Sequence, residues 1–255
     1  MLVSINRRAS GTGEVVTVTY DRQKKLNALN SAGIAELTDT FRNLASDRSM
    51  RIVVLTGAGE KAFFGGADID ELNTFDSDSA RRFITALHQL FVEIRTLSVP
   101  VLARVNGYSL GAGMELAAAC DMRIASNNAV FGMPEVRVGI PSVIEAALLP
   151  RLVGWGRTNY LVMTAEYIDA ATAYDWGFLE SLVPQVSLNA ETDRVAEAVA
   201  ASGPIAVRDQ KKLMRDWERL PLEDGIRAGI GALAKAFETD EPKRMMRPFF
   251  DRKGS

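Results

Sequence analysis

The sequence contains very little of the two residue types on which many catalytic and metal-binding sites depend. Its 255 residues include a single cysteine, Cys120, and a single histidine, His88. One thiol cannot form an internal disulfide, which fits a reducing compartment, and one thiol with one imidazole cannot form a zinc-like ligand cluster. Any Ser-His-Asp mechanism would have to use His88.

Charge imbalance and long apolar runs are also absent. Lys and Arg (30) nearly equal Asp and Glu (32), so there is no overall basic field to recruit nucleic acid. No apolar run reaches the roughly 18–20 residues of a membrane span, and the first residues lack the basic and apolar regions of a signal peptide. We therefore expect a cytoplasmic protein without a membrane or nucleic-acid partner.

Strand and helix patterns alternate along the chain, as in an α/β core with parallel strands. β-Branched runs predict strands, and Asn30 is predicted to cap a helix that runs to about Leu44. From about Asn189 the pattern is mostly helical, which predicts a separate layer. The predicted strands are residues 15–20, 51–56, 101–105 and 122–125, and a second predicted helix has an apolar face of Phe83, Leu87, Leu90, Phe91 and Ile94.

Two short motifs match functional patterns but fail on their context. Residues 57–62 (Gly-Ala-Gly-Glu-Lys-Ala) fit a dinucleotide-binding pattern, but residues 63–66 (Phe-Phe-Gly-Gly) are poor helix sequence. Residues 107–111 (Gly-Tyr-Ser-Leu-Gly) fit a nucleophile elbow, whose fold places the triad histidine after the serine. No histidine follows Ser109, and His88 is predicted to be an ordinary packed histidine beside an apolar helix face.

Two glycine-rich turns and two glutamates form a third pattern. Residues 65–68 (Gly-Gly-Ala-Asp) and 111–113 (Gly-Ala-Gly) could each aim backbone N–H groups at a ligand, and two convergent donors would make an oxyanion hole. Taken alone, each is more often only a tight turn. Glu115 lies in an apolar segment and is either a buried functional carboxylate or a helix-end charge facing solvent. Glu135 is either its partner in proton transfer or a simple loop carboxylate.

The two turns belong to a longer series of motifs along the chain. These motifs are residues 25–30 (Lys-Leu-Asn-Ala-Leu-Asn), 54–57, 61–69, 105–116, 120–121, 131–135 (Phe-Gly-Met-Pro-Glu), 168–170 and 176–178. Their content and order strongly resemble the enoyl-CoA hydratase/isomerase (crotonase) superfamily, and the match runs nearly the whole chain. Several independent motifs in one order are far more specific than any one of them.

The resemblance implies an α/β fold: a crotonase-like spiral of repeated ββα units over residues 1–190, followed by a helical oligomerisation region over residues 191–255. A homotrimer or homohexamer is usual in the family. By position, the N–H groups of Ala67 and Ala112 match the donors to a thioester oxygen, and Glu115 and Glu135 match the two hydratase glutamates. Positions that match substrate or coenzyme A contacts are Lys25, Leu26, Ala28, Ala67, Asp68, Ile69 and Ala112. Residues 249–253 loosely resemble a tail that reaches a neighbouring subunit's coenzyme A.

The sequence departs from the family pattern in one loop. Where hydratases often carry a Gly-rich stretch soon after the second glutamate, residues 139–147 read Gly-Ile-Pro-Ser-Val-Ile-Glu-Ala-Ala. This loop lies beside the acyl group in relatives, so the acyl chain stays unassigned. Glu145 is predicted to be a solvent-facing helix charge, with an additional site carboxylate as the alternative.

The resemblance, with both glutamates present, predicts an enoyl-CoA hydratase that adds water across a 2-enoyl-CoA double bond to give a 3-hydroxyacyl-CoA. Because the thioester carries the electrophilic chemistry, no metal or redox cofactor is expected, and coenzyme A enters as part of the substrate. The first alternative is an isomerase, hydrolase or other lyase of the superfamily. The second is a non-catalytic acyl-CoA-binding protein.

Overall fold

The structure, a computed structural model, describes residues 1–251 and contains two β-sheets in that range. The larger sheet has the strand order β1-β2-β3-β5-β7-β10, and the smaller has the order β4-β6-β8-β9. The pairs β1–β2 and β8–β9 are antiparallel, and the other pairs are parallel. The strands are β1 (Val3–Ser10), β2 (Gly13–Tyr20), β3 (Met50–Gly57), β4 (Ala62–Phe64), β5 (Val101–Val105), β6 (Tyr108–Leu110), β7 (Met122–Ser126), β8 (Val130–Gly132), β9 (Tyr167–Asp169) and β10 (Ser181–Val183).

The helices follow the strands and cover the sheets. Asn30 caps the first of them, because its side chain accepts a hydrogen bond from the Gly33 N–H at 2.9 Å, as predicted. The helices are α1 (Ser31–Ala45), α2 (Ile69–Leu72), α3 (Ser77–Thr96), α4 (Ala112–Ala119), α5 (Leu149–Val153), α6 (Trp155–Thr164), α7 (Ala170–Asp175), α8 (Leu188–Ala200), α9 (Pro204–Arg219), α10 (Leu222–Ala236) and α11 (Glu241–Asp251). The five apolar residues predicted to form one face of α3 are all buried.

The chain sends strands to the two sheets in turn. β3, β5 and β7 enter the larger sheet, and the strand that follows each of them, β4, β6 or β8, enters the smaller one. α2 and α3 follow β4, and α4 follows β6. This is the repeated ββα pattern, so the predicted α/β class with a C-terminal helical region is confirmed.

The central strands of the larger sheet are buried on both faces, while the edge strand β1 is mostly exposed. Val16 and Val53 belong to the main core, whereas Val15 and Ile52, which point the other way, pack with α8. Two-sided burial explains why β3 is a continuous apolar run rather than an alternating one. The predicted division after residue 190 falls within α8, which lies on this sheet; the division itself stays a prediction.

Polar contacts attach α9 to the core and α11 to α9. Lys211 on α9 is buried, and its Nζ lies 2.7 Å from Asp121 Oδ2. Glu241 accepts the N–H groups of Ile205 and Ala206, near the start of α9. No helix within residues 1–251 has the length and apolar character that crossing a membrane requires. Arg252 and Lys253, from the tail predicted to reach a neighbour's coenzyme A, lie outside the described residues.

Candidate active site

Two neighbouring parallel strands bring the two glycine-rich turns together. β4 pairs with β6, with Phe64 opposite Ser109, and a turn follows the carboxyl end of each strand. The close approach of α4 to β4 requires glycine at position 113, because a Cβ there would lie 2.0 Å from the Phe64 carbonyl oxygen. Residues 57–62 lead into β4 rather than into a helix, so the rejection of dinucleotide binding is consistent with the local fold.

Glycines set the direction of both turns. Gly66 has a φ of 108° and Gly111 a φ of 50°, conformations that residues with a side chain rarely adopt. The next N–H groups belong to Ala67 and Ala112, and within residues 1–251 neither donates to a protein acceptor. Both turns border one cavity of about 940 Å³. The structure therefore brings together the two predicted donors at the edge of a single cavity.

The two predicted glutamates line the same cavity. Glu115 lies one helical turn after Ala112 on α4, so the two residues share a face. Its side chain is 3% exposed, and its Oε1 accepts the Ala146 N–H at 3.1 Å. Glu135 begins a 3-10 turn after β8, is partly buried, and accepts the Ser142 hydroxyl at 2.8 Å. The solvent-facing alternative for Glu115 is therefore wrong. Glu135 lines the cavity, and its role in proton transfer stays a prediction.

The cavity alters the ionisation of both carboxyl groups. Burial raises the pKa of Glu115 to about 8, with further contributions from the nearby charges of Glu135 and Glu145, while the Ala146 N–H opposes them. Burial also raises the pKa of Glu135, against the hydrogen bond from Ser142. Two carboxyl groups with raised pKa values in one cavity can hold a proton between them near neutral pH, which is what a general acid and a general base require.

The remaining walls of the cavity are mostly apolar. They come from the region of α2 and α3, from the loop after Glu135, and from β9, and they include Leu72, Phe75, Phe83, Ile84, Leu87, Val138, Ile140, Val143 and Tyr167. Such walls suit a hydrocarbon chain. The lining also includes polar residues besides the two glutamates, namely Asp76, Ser77, Arg81 and Arg137.

Comparison with known proteins agrees with this geometry. The sequence model of the enoyl-CoA hydratase/isomerase family matches residues 10–254. The chain belongs to this family. It is 35% identical to a short-chain-enoyl-CoA hydratase of Clostridium acetobutylicum over 242 residues, which is 94% of this chain and 93% of that protein. It is 34% identical to a crotonyl-CoA hydratase of Syntrophomonas wolfei over the same shares of the two chains.

The fold matches the family as well. A crystal structure of an enoyl-CoA hydratase from Bacillus anthracis superposes with a TM-score of 0.94 at 31% identity, covering 99% of this chain and 97% of that one. The family resemblance and the crotonase-like fold predicted from the motifs are therefore confirmed.

The segment that matches coenzyme A contacts in the family lies directly against the first turn. The Gly65 N–H donates to the Leu26 carbonyl at 2.8 Å, and the Leu29 N–H donates to the Gly66 carbonyl at 2.8 Å. Lys25 is exposed and its Nζ lies 2.5 Å from Asp70 Oδ2. Ala28 is half-buried next to them. These positions border the turn rather than line the cavity, and their role in binding stays a prediction.

Asn27 fixes this segment, a function that the motif alone did not reveal. Its backbone has a φ of 55°, and its buried amide donates to the carbonyls of Ala58 and Ala62 at 3.0 and 2.9 Å. Its Oδ1 accepts the Arg22 N–H. Asparagine tolerates the left-handed conformation better than most residues, which is the signal that could have identified it.

Asp68 and Ile69 differ in what they offer to a ligand. The Asp68 carboxylate lies 2.5 Å from Arg22 and caps α2 through the Asp70 N–H. Burial alone would raise the pKa of Asp68, but these two contacts outweigh burial and lower it. Its side chain is thus engaged within the protein. Ile69 is 64% exposed and lines the cavity, where it is available to a ligand.

Two sequence predictions for neighbouring residues are wrong. His88 is not packed in the apolar face of α3, since its side chain is 50% exposed. Glu145 is not a solvent-facing helix charge, since it is 4% exposed, in a 3-10 turn from Ile144 to Leu148. Instead, the two side chains meet, with His88 Nδ1 at 3.0 Å from Glu145 Oε1. The sequence pattern assigns each residue to a separate helical segment, but the contact between them depends on the tertiary fold.

Two serines hold parts of the site in place through their hydroxyl groups. Ser109, the centre of the elbow-like motif, is fully buried, and its hydroxyl donates to the Gly113 carbonyl at 3.0 Å. It therefore stabilises the turn and is not presented as a nucleophile. Ser142, which holds Glu135, was not identified from the sequence, and only its place in the altered loop could have drawn attention to it.

Proposed function

We propose that the chain is an enoyl-CoA hydratase that adds water across the double bond of a 2-enoyl-CoA. The observation that supports this most directly is the cavity in which two carboxyl groups with raised pKa values accompany two N–H groups that have no acceptor in the described part of the chain. The hydratase names of the relatives agree with it.

In this proposal the N–H groups of Ala67 and Ala112 donate to the thioester oxygen. Their hydrogen bonds strengthen as negative charge moves to that oxygen in the enolate, and one such donor is typically worth about 2.7–4 kcal/mol of transition-state stabilisation. A water oxygen bonds to the β-carbon and loses a proton to Glu115. Glu135 gives a proton to the α-carbon, so one water is added in total.

The reaction requires one protonated and one ionised carboxyl group. With its pKa raised to about 8, Glu115 holds a proton at neutral pH in the unliganded chain, whereas hydration needs the proton on Glu135. Because two coupled groups titrate as a pair, we propose that the pair carries one proton and that the form with the proton on Glu135 reacts.

The acyl-CoA is proposed to place its acyl chain along the apolar walls and its nucleotide portion near residues 25–28. No metal or redox cofactor takes part in the proposed steps, and that expectation, like the cytoplasmic location and the lack of a nucleic-acid partner, stays a prediction. We further propose a homotrimer or homohexamer. Along α10, Ile226, Ile230, Leu233 and Phe237 form a stripe and are each more than half exposed, as expected for a face that pairs with another subunit.

The test is the absorbance of the conjugated enoyl thioester on mixing the protein with crotonyl-CoA, compared between wild type and Glu135→Gln. We expect rapid loss of the band in the wild type and a fall of roughly 10²–10⁴-fold in kcat in the variant, the range for a lost general acid. Product analysis must show 3-hydroxyacyl-CoA. A shifted double bond would indicate an isomerase, and free coenzyme A a hydrolase. If no enoyl-CoA of varied chain reacts while acyl-CoA still binds, the protein is a non-catalytic binder.

A further inference from the structure

Glu145 of the altered loop forms a polar pair with His88 of α3, and the proposed reaction does not use this pair. The Glu145 carboxylate is buried, and His88 Nδ1 lies 3.0 and 3.2 Å from its two oxygens. Within residues 1–251 it has no other hydrogen-bond partner. A carboxylate accepts hydrogen bonds, so Nδ1 is the donor. A buried carboxylate without a donor is costly, and His88 on α3 therefore fixes the position of Glu145.

The pair is joined to Glu115 through one peptide unit. Glu145 and Ala146 are adjacent in the 3-10 turn, and the Ala146 N–H is the group that donates to Glu115 Oε1 at 3.1 Å. The residue before Glu145, Ile144, has a φ of 41°, which is unfavourable for a β-branched side chain. This conformation directs Glu145 inward, and a strained turn keeps its shape only if its surroundings hold it.

We propose that His88 and Glu145 form a positioning pair, which holds the turn at Ile144–Leu148 so that the Ala146 N–H keeps the Glu115 carboxyl in its reactive orientation. The proposal rests on the proposed hydratase function. Neither residue lines the cavity, so the pair acts through Glu115 and not on the substrate.

Electrostatics supports the same connection. The pKa of Glu115 is raised mainly by burial and by the charge of Glu135, and the charge of Glu145 adds a smaller contribution. The titratable groups that act on Glu115 in the described part of the chain are thus Glu135, on the turn after β8, and Glu145, with His88 approaching Glu145 from α3. Because the Ala146 N–H lowers the pKa of Glu115, its displacement should raise that pKa, whereas loss of a contact that does not reach Glu115 would not.

The first experiment compares His88→Leu, which removes the donor, with His88→Asn, whose amide can take the place of Nδ1. A matched control is Gln89→Leu on the same helix, where the Gln89 amide donates to Glu93. We expect His88→Leu to lower kcat about ten- to a hundredfold with little change in KM, the scale of a misplaced catalytic group. His88→Asn should recover most of the loss, and Gln89→Leu should match wild type.

The second experiment uses His88→Leu, which removes the donor to Glu145, and does not depend on turnover. The Glu115 carboxyl is followed by ¹³C NMR as a function of pH in wild type and variant, with the signal assigned through Glu115→Gln. We expect its midpoint to move to higher pH in His88→Leu, because Glu115 loses the Ala146 N–H that lowers its pKa. Thermal unfolding of each variant checks that the fold is retained, which is expected because His88 is half exposed.

The outcomes separate this proposal from the hydratase assignment. If the wild type does not hydrate any enoyl-CoA, the proposed function fails, and the NMR titration alone decides whether the pair acts on Glu115. If the wild type is active, the pair is refuted by a His88→Leu variant with wild-type kcat, or by a failure of His88→Asn to recover activity. An unchanged Glu115 midpoint in His88→Leu refutes it in either case.

Discussion

The two carboxyl groups of the cavity are held by different kinds of donor. Glu115 lies on a helix, is buried almost completely, and accepts a backbone N–H from Ala146. Glu135 lies on a short turn, is only partly buried, and accepts a side-chain hydroxyl from Ser142. A backbone donor can be moved only by changing the conformation of its turn, whereas a hydroxyl can be removed by one substitution. Glu115 should therefore respond to remote changes in the fold, and Glu135 to local ones.

Among the tests of this comparison, the largest loss of activity is expected for Gly111→Ala. A Cβ at Gly111 would lie 2.3 Å from Glu135 Oε1, so the substitution displaces Glu135 directly. It also forces a side chain into a φ of 50°. We expect kcat for crotonyl-CoA hydration to fall about 10²-fold, the loss typical of a catalytic group moved by about 1 Å.

Gly139→Ala is the matched control for this prediction. Gly139 also has a positive φ, of 80°, but no atom lies within 4 Å of a Cβ built there. Gly139→Ala should lose about 1–2 kcal/mol of stability from left-handed backbone strain, and Gly111→Ala, whose ψ of −119° lies outside the left-handed region, should lose at least as much, measured by denaturant unfolding. Equal activity in the two variants would contradict the predicted clash with Glu135.

The deep burial of Glu115 predicts a pH-dependent cost in stability. Its pKa is raised from 4.5 to about 8 in the folded chain, so between these values the folded state binds more protons than the unfolded state. The stability of the wild type should therefore fall, relative to Glu115→Gln, as pH rises from about 4.5 to about 8. Below this window the contribution of Glu115 is constant.

The expected slope is at most about 1.4 kcal/mol per pH unit, the value for one proton. Urea unfolding of wild type and Glu115→Gln at several pH values measures it. A difference in unfolding free energy that does not change across this window would show that Glu115 is ionised in the folded protein and would contradict its raised pKa.

The smallest effect is expected for Ser142→Ala, which removes the side-chain donor to Glu135. Because the hydrogen bond from Ser142 lowers the pKa of Glu135, its loss should move the ionisation of Glu135 to higher pH. This shift favours the protonated Glu135, so a fall in kcat would come from lost orientation of the carboxyl group. We expect a fall of roughly two- to tenfold, corresponding to about 0.5–1.5 kcal/mol for one hydrogen bond. The pH dependence of kcat measures the shift. Ser142→Thr keeps a hydroxyl and should retain the wild-type profile; an identical loss in both variants would assign the effect to packing.

Local patterns in the sequence predicted much of the fold. The β-branched run at residues 15–20 and the Asn30 cap depend on neighbours a few residues away, and both were confirmed. The two glycine turns could be proposed because glycine is the residue that such backbone conformations require. The family resemblance then predicted which segments distant in sequence lie together, information that local patterns do not contain.

The contact between His88 and Glu145 could not be predicted in this way. The two residues are 57 positions apart, and no local pattern records their approach. Glu145 was predicted to face solvent because an isolated acidic residue near a helix usually does. The positive φ of Ile144 turned it inward instead, and Ile144 belongs to the residue class in which that conformation is least expected.

The pairing of β4 with β6 has a consequence for the two proposed oxyanion donors. Each donor follows the end of one of two adjacent strands, so their separation is related to the pitch of the sheet, about 4.8 Å between neighbouring strands. That pitch is a constant of backbone hydrogen bonding and does not depend on which side chains line the cavity. The apolar side chains that line the cavity could therefore be exchanged without changing the separation of the two backbone N–H groups.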